Sequence, residues 1–149
     1  MGAPLTAYNR ISTTPIRIHS NIYEPDYVVV VDDTLLESVP VTDGLKADGA
    51  IVVNTARGED FLKEKLANYP GDIYYIDARK VSMETLGKYF PNTPMLAAIV
   101  KVSGIMTDEE FLKDMEGSFQ HKFAKKPEVI EGNRKAIAMA LQEVKKVTK

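Results

Sequence analysis

The sequence contains no cysteine and no tryptophan, and only two histidines. Without cysteine, this chain cannot form disulfides, use a thiolate nucleophile, or ligate zinc or iron–sulfur clusters through sulfur. That usage is compatible with a reducing compartment. His19 and His121 are far apart and form no HExxH pattern, so a His-based metal site is not expected. No stretch approaches the roughly 18 apolar residues of a membrane span. Met1-Gly2-Ala3-Pro4 has neither the basic leader nor the apolar region of a signal peptide, which leads to the expectation of a cytoplasmic protein. An excess of one charge is missing too. The 19 basic and 21 acidic residues leave a net charge of −2, so nothing global favours nucleic acid or an anionic membrane surface.

What remains is an ordinary soluble composition, with 44% apolar and 27% charged residues in a chain of 149. That length reads as one domain, residues 1–149, large enough to bury a single core. There is no internal repeat, low-complexity tract or long linker.

The apolar pattern changes along the chain. In residues 5–22, Leu5, Ala7 and Ile11 alternate with polar neighbours. Ile16, Ile18 and Ile22 do the same beyond a Ser-Thr-Thr-Pro turn. Period-two alternation on both sides of a turn predicts a β-hairpin with one wet face. Tyr27–Val31, Ala50–Val53 and Ile73–Ile76 are instead nearly continuous apolar runs, 23 residues apart. Such runs suit strands buried on both faces of a parallel sheet, joined by helical crossovers.

The intervening helical signals are a capping box at Thr34–Glu37, a stripe of Phe61, Leu62, Leu66 and Tyr69, and a set of Met83, Leu86 and Phe90. The final third reads as helices. Thr93 is placed as a cap with Pro94 first in the helix, and Gly104 ends that helix. Thr107–Glu110 forms a capping box, and Pro127 opens a last helix with an inner stripe of Ile130, Ile137, Leu141 and Val144. Asn133 interrupts that stripe as a buried amide, and Lys145 and Lys146 fall on its outer face. Glu116–Lys126 is expected to be a mobile connection. The fold class is therefore three-layer αβα, with a mainly parallel sheet, an N-terminal hairpin and a C-terminal helical segment.

Ligands of open α/β sheets bind at the carboxyl ends of the strands. Those ends are Asp32-Asp33, Asn54-Thr55 and Asp77-Ala78. Asn54-Thr55-Ala56-Arg57-Gly58 combines a cap, a flexible glycine and a cation, which makes it the leading anion-binding candidate. The same residues also suit a plain strand end and helix cap. Asn92-Thr93-Pro94 is a second candidate, for which capping alone would suffice. Asp32-Asp33 is a poor proton-sharing pair, because adjacent side chains diverge; Asp33 or Thr34 is better read as a cap. His19 reads as a solvated or interface histidine. No catalytic constellation and no metal site emerge.

Several segments carry a resemblance. Gly2-Ala3-Pro4-Leu5-Thr6-Ala7-Tyr8, Pro15-Ile16-Arg17-Ile18, Ile22-Tyr23-Glu24-Pro25-Asp26, Asp48-Gly49, Val53-Asn54-Thr55, Asn92-Thr93-Pro94 and Gly132-Asn133-Arg134 together resemble the gamma subunit of the 2-oxoacid:ferredoxin oxidoreductases, the pyruvate enzyme being the nearest form. The resemblance implies a supporting subunit without catalytic residues of its own. Such enzymes interconvert pyruvate and coenzyme A with acetyl-CoA, carbon dioxide and reduced ferredoxin. Thiamine diphosphate, magnesium and iron–sulfur clusters would sit on the alpha, beta and delta partner subunits, with ferredoxin reached through the complex. This chain would share coenzyme A as a ligand. Asn54, Thr55 and Asn92 would lie at the crevice, and Gly2, Ala3, Pro4 and Arg17 near the interface with the core. The family pattern usually begins with a strand, a Gly-Gln-rich loop and a helix before Gly-Ala-Pro, about forty residues absent ahead of Gly2 here. That gap implies an incomplete sheet with an apolar pairing edge near Val28–Val31. Two alternatives stand beside this reading: a scaffold domain that touches no cofactor, and a stand-alone nucleotide-binding module.

Overall fold

The computed structural model describes residues 16–17 and 22–148. Three strands, β1 (Tyr27–Val30), β2 (Ala50–Asn54) and β3 (Asp72–Ile76), pair in parallel in the order β1-β2-β3. Their valine- and isoleucine-rich runs resist helix and favour the pleat. A fourth strand, β4 (Lys145–Lys146), lies antiparallel to β3. The hairpin expected over residues 5–22 lies almost wholly outside the described residues.

Alternation along the strands divides the core in two. Val30, Ile51, Val53 and Ile73 face one side, where Leu62 and Leu66 cover them. The covering elements are the short helices α1 (Leu35–Ser38) and α2 (Glu59–Lys65), the two crossovers between parallel strands. Val52 and Ile76 face the opposite side with Met95, Ala98, Ile137 and Leu141. That layer holds α3 (Ala78–Leu86), α4 (Asn92–Ser103), α5 (Asp108–Lys122) and α6 (Pro127–Glu143). Helices on both faces of a mainly parallel sheet make the three-layer α/β class. Ile51, Val52 and Val53 are completely buried, each contributing roughly 1.5–3 kcal/mol of apolar transfer.

Two devices let the helical layer pack closely. Gly132 on α6 meets α3: a Cβ there would lie 2.9 Å from Leu86 Cδ2 and 3.0 Å from the Thr85 carbonyl oxygen. Beside it, Asn133 is buried as expected. Its amide donates to the Val129 carbonyl at 2.9 Å and its oxygen accepts from the Thr93 hydroxyl at 3.0 Å. A buried amide is tolerated when both ends are satisfied.

The structure corrects several local expectations. Thr34 builds no capping box; its hydroxyl donates to Asp32 instead, and the helix that follows has only four residues. Asp33 does not cap it either, because its carboxylate is engaged by Thr55. Thr93 lies inside α4, behind Pro91 at the cap position, and its hydroxyl is taken by Asn133. Pro94 remains within the first turn, where its missing N–H has no helical partner to lose. Met83 and Phe90 are exposed, and α3 buries the small residues Ala78, Val81 and Ser82 instead. Tyr69 is buried, but beyond the end of α2. Most of the segment expected as a connection, Glu116 to Lys122, is the second half of α5. Lys145 and Lys146 belong to β4, since α6 stops at Glu143. Gly104 ends α4 with φ 68°, and the Thr107 capping box forms, as the sequence predicts.

Candidate functional site

The parallel register brings the carboxyl ends of β1, β2 and β3 side by side, with Asn54 opposite Ile76. Asn54 is the hub of this edge. Its side-chain amide donates to the Val31 carbonyl at 3.0 Å and to the Tyr89 hydroxyl at 3.2 Å. Its side-chain oxygen accepts the Ala78 backbone N–H at 2.9 Å. One residue thus ties the end of β1, the start of α3 and the loop into α4. Thr55, also buried, donates its hydroxyl to Asp33 Oδ2 at 2.7 Å and accepts the Arg57 N–H at 3.1 Å. Both predicted residues therefore sit at the carboxyl edge of the sheet, and most of their hydrogen-bonding capacity is used internally.

Two arginines lie near that edge. The Arg57 guanidinium lies 4.7 Å from the centre of the Phe61 ring, with Nε 3.8 Å from Asp33 Oδ2. The Arg79 guanidinium lies 5.5 Å from the centre of the Tyr89 ring. Arginine resting on an aromatic face keeps its outer N–H groups free for an anion. The two helix starts differ in where their carboxylates lie. α2 opens at Gly58, with φ 83°, and carries Glu59 and Asp60 in its first turn. Those carboxylates oppose an anion there. α3 has no acidic residue in its first turn, and its Asp77 cap accepts the Lys80 N–H at 3.0 Å. Arg79 and Lys80 are both exposed beside it.

The structure thus brings Asn54 and Thr55 together. Asn92 is exposed at the start of α4, and Arg17 is exposed. Gly2, Ala3, Pro4 and His19 lie outside the described residues. Sequence reading missed Tyr89 and Arg79, whose proximity to Asn54 depends on the path from α3 to α4. The one available signal was that Arg79 follows the third strand end by three residues. The shifted titrations lie elsewhere. Burial raises the Tyr69 hydroxyl, which donates to the Lys46 carbonyl at 2.8 Å. Asp26 raises Lys46, and Lys65 lowers Glu37. Among the described residues, no group of three or more His, Asp or Glu is placed to hold a metal ion, and no helix is long and apolar enough to cross a membrane.

Helices on both faces of a mainly parallel sheet, with polar residues at the carboxyl ends of its strands, place the domain in the α/β class, whose ligands bind at that edge. Known proteins narrow that class. The chain belongs to the pyruvate ferredoxin/flavodoxin oxidoreductase family, whose pattern matches residues 1–143. It is 40% identical over 144 residues to the pyruvate synthase subunit PorC of Thermotoga maritima, covering 97% of this chain and 73% of that protein. It is 42% identical over 125 residues to the pyruvate/ketoisovalerate oxidoreductases common subunit gamma of Pyrococcus abyssi, covering 84% and 68%. The crystal structure of the Thermotoga maritima pyruvate oxidoreductase subunit superposes with a TM-score of 0.72 at 36% identity, covering 85% of this chain and 67% of that one.

Proposed function

We propose that this chain is the gamma subunit of a multi-subunit 2-oxoacid:ferredoxin oxidoreductase, most like the pyruvate enzyme. In this reading its crevice supplies a cationic wall of a coenzyme A pocket shared with other subunits. The observation that carries the second part is the pairing of Arg57 with Phe61 and of Arg79 with Tyr89, whose hydroxyl is bound by Asn54, at the carboxyl edge of the sheet. Coenzyme A offers phosphates to guanidinium groups and a flat adenine to their outer faces. Asn54 and Thr55 act as positioning residues, since their polar atoms already hold the floor together. Decarboxylation and electron transfer belong to the alpha, beta and delta partners, which would carry thiamine diphosphate, magnesium and the clusters that reduce ferredoxin.

The test is steady-state kinetics of the assembled complex carrying Arg57→Gln or Arg79→Gln. Each variant should raise the apparent KM for coenzyme A by roughly three- to tenfold with little change in kcat. Unchanged coenzyme A dependence in both variants would leave this chain as a scaffold domain. The internal saturation of Asn54 and Thr55 is the observation that favours that second reading.

A further inference from the structure

The chain holds two Asp-Gly pairs, Asp43-Gly44 and Asp48-Gly49, both in the connection between α1 and β2. In such a pair the side-chain carboxyl can reach the next backbone nitrogen, because glycine carries no Cβ to hinder the approach. Both aspartates are exposed, so access to the carboxyl is alike in the two pairs. The glycines differ.

Gly49 is buried, and the backbone on both sides of it is fixed. Its N–H donates to the Lys46 carbonyl at 3.0 Å, and its carbonyl accepts the Asp72 N–H at 3.2 Å. A Cβ at this position would collide with the Asp26 carbonyl oxygen, so the chain is boxed in as well. The Gly49 nitrogen cannot turn toward the Asp48 carboxyl without giving up its bond to Lys46. Gly44 is exposed, and among the described residues its N–H donates to no acceptor. The bonds of this turn fall on either side of it, from the Asp43 N–H to the Pro40 carbonyl and from the Leu45 N–H to the Thr42 carbonyl, both at 3.0 Å. The attacking nitrogen is thus free in one pair and engaged in the other.

We propose that Asp43-Gly44 is a modification site, where the aspartate isomerises spontaneously through a succinimide, and that the fold withholds the same chemistry from Asp48-Gly49. The Gly44 nitrogen attacks Cγ of the protonated Asp43 carboxyl. A C–N bond forms, and the carboxyl hydroxyl leaves with the amide proton as water. Water then opens the ring at either carbonyl. Opening at Cγ restores aspartate. Opening at the main-chain carbonyl leaves isoaspartate, whose backbone runs through the former side chain. One water is lost and one regained, so no oxidant or cofactor enters. The additional main-chain carbon arises where Gly44, at φ 77°, lies against the Tyr23 carbonyl. The residues beyond it hold this turn to the start of β1: Leu45 is buried, the Lys46 N–H donates to the Pro25 carbonyl at 3.2 Å, and the Lys46 side chain pairs with Asp26 at 2.8 Å. Isomerisation therefore loosens the seat of β1 without altering mass or net charge.

The test is peptide mapping of the folded full chain after prolonged incubation in warm, neutral buffer made with heavy-oxygen water. Each ring opening places one heavy oxygen in the product, and isoaspartyl peptides separate from aspartyl ones chromatographically. Label at Asp43 should exceed label at Asp48 by about tenfold, the factor that freeing a backbone hydrogen bond at a buried glycine costs in rate. In guanidinium, where the turn is lost, the two sites should react at similar rates. Asp43→Glu, exposed and one methylene longer, should remove the label from this segment and leave Asp48 and the melting curve unchanged. Amide exchange at Lys46 should be faster in the isomerised fraction than in the unmodified chain. No label at Asp43, equal label at the two sites in the folded chain, or the same preference in guanidinium would each overturn the proposal.

Discussion

The hydroxyl of Thr55 donates to the carboxylate of Asp33 at 2.7 Å, joining the turn after β2 to the turn after β1. The Thr55 side chain is buried and the Asp33 side chain is only 19% exposed. A hydrogen bond to a charged acceptor in that setting is stronger than a neutral one. A double-mutant cycle with Thr55→Val and Asp33→Asn should return a coupling of about 1–2 kcal/mol in chemical denaturation. A coupling near zero would mean the two turns are not fastened through this contact.

Asn54 should be more sensitive. Asn54→Ala strips partners from the buried Ala78 N–H and the Val31 carbonyl at once. The expected loss is about 2–4 kcal/mol of unfolding free energy. Tyr89→Phe removes one partner at the half-exposed rim and should cost under about 1 kcal/mol. Equal losses for the two would contradict the hub role of Asn54.

The glycines on α5 and α6 should respond in opposite directions to alanine. Gly132→Ala pushes a methyl group against Leu86 and the Thr85 carbonyl. Overpacking of about 1–3 kcal/mol should outweigh the helix propensity gained. Gly117 on α5 faces open space, so Gly117→Ala should stabilise by roughly 0.5–1 kcal/mol. Thermal midpoints shifting apart in these two variants would be the signature.

One prediction concerns pH. The Thr148 backbone N–H donates to the Glu59 carboxylate, which holds that acid below its ordinary range, with Lys63 helping. A depressed carboxylate stabilises the fold above its unfolded pKa and stops doing so as pH falls through its folded value. Protection factors of the Val147 and Thr148 amides, corrected for the intrinsic pH dependence of exchange, should therefore fall on acidification from about pH 6 to pH 3. Glu59→Gln should flatten that dependence. The same slope in wild type and variant would place the sensitivity elsewhere.

The strands were legible because their apolar runs are continuous, although only β2 is buried along its whole length and β1 keeps Tyr27 and Val29 exposed. The start of β2 at Ala50 and the end of β3 at Ile76 fall where the sequence places them. The Thr107 cap was legible because all its parts lie within four residues. Thr93 was misjudged because its partner, Asn133, is 40 residues away, so no local rule could show that the hydroxyl was already committed. Thr34 stands at the cap position, but its hydroxyl makes no cap bond because Asp32 takes it. In the crevice, Asn54 and Thr55 were visible as strand-end polar residues. Their roles as fasteners, and the arrival of Tyr89 and Arg79, depend on packing between elements that the linear pattern does not encode.

The two-lysine strand at the far side of the sheet bears on valency. A sheet capable of growing at both edges is a monomer for a filament. Lys145 and Lys146 occupy one of those directions. Growth of the sheet beyond β4 meets two exposed charges and ends there.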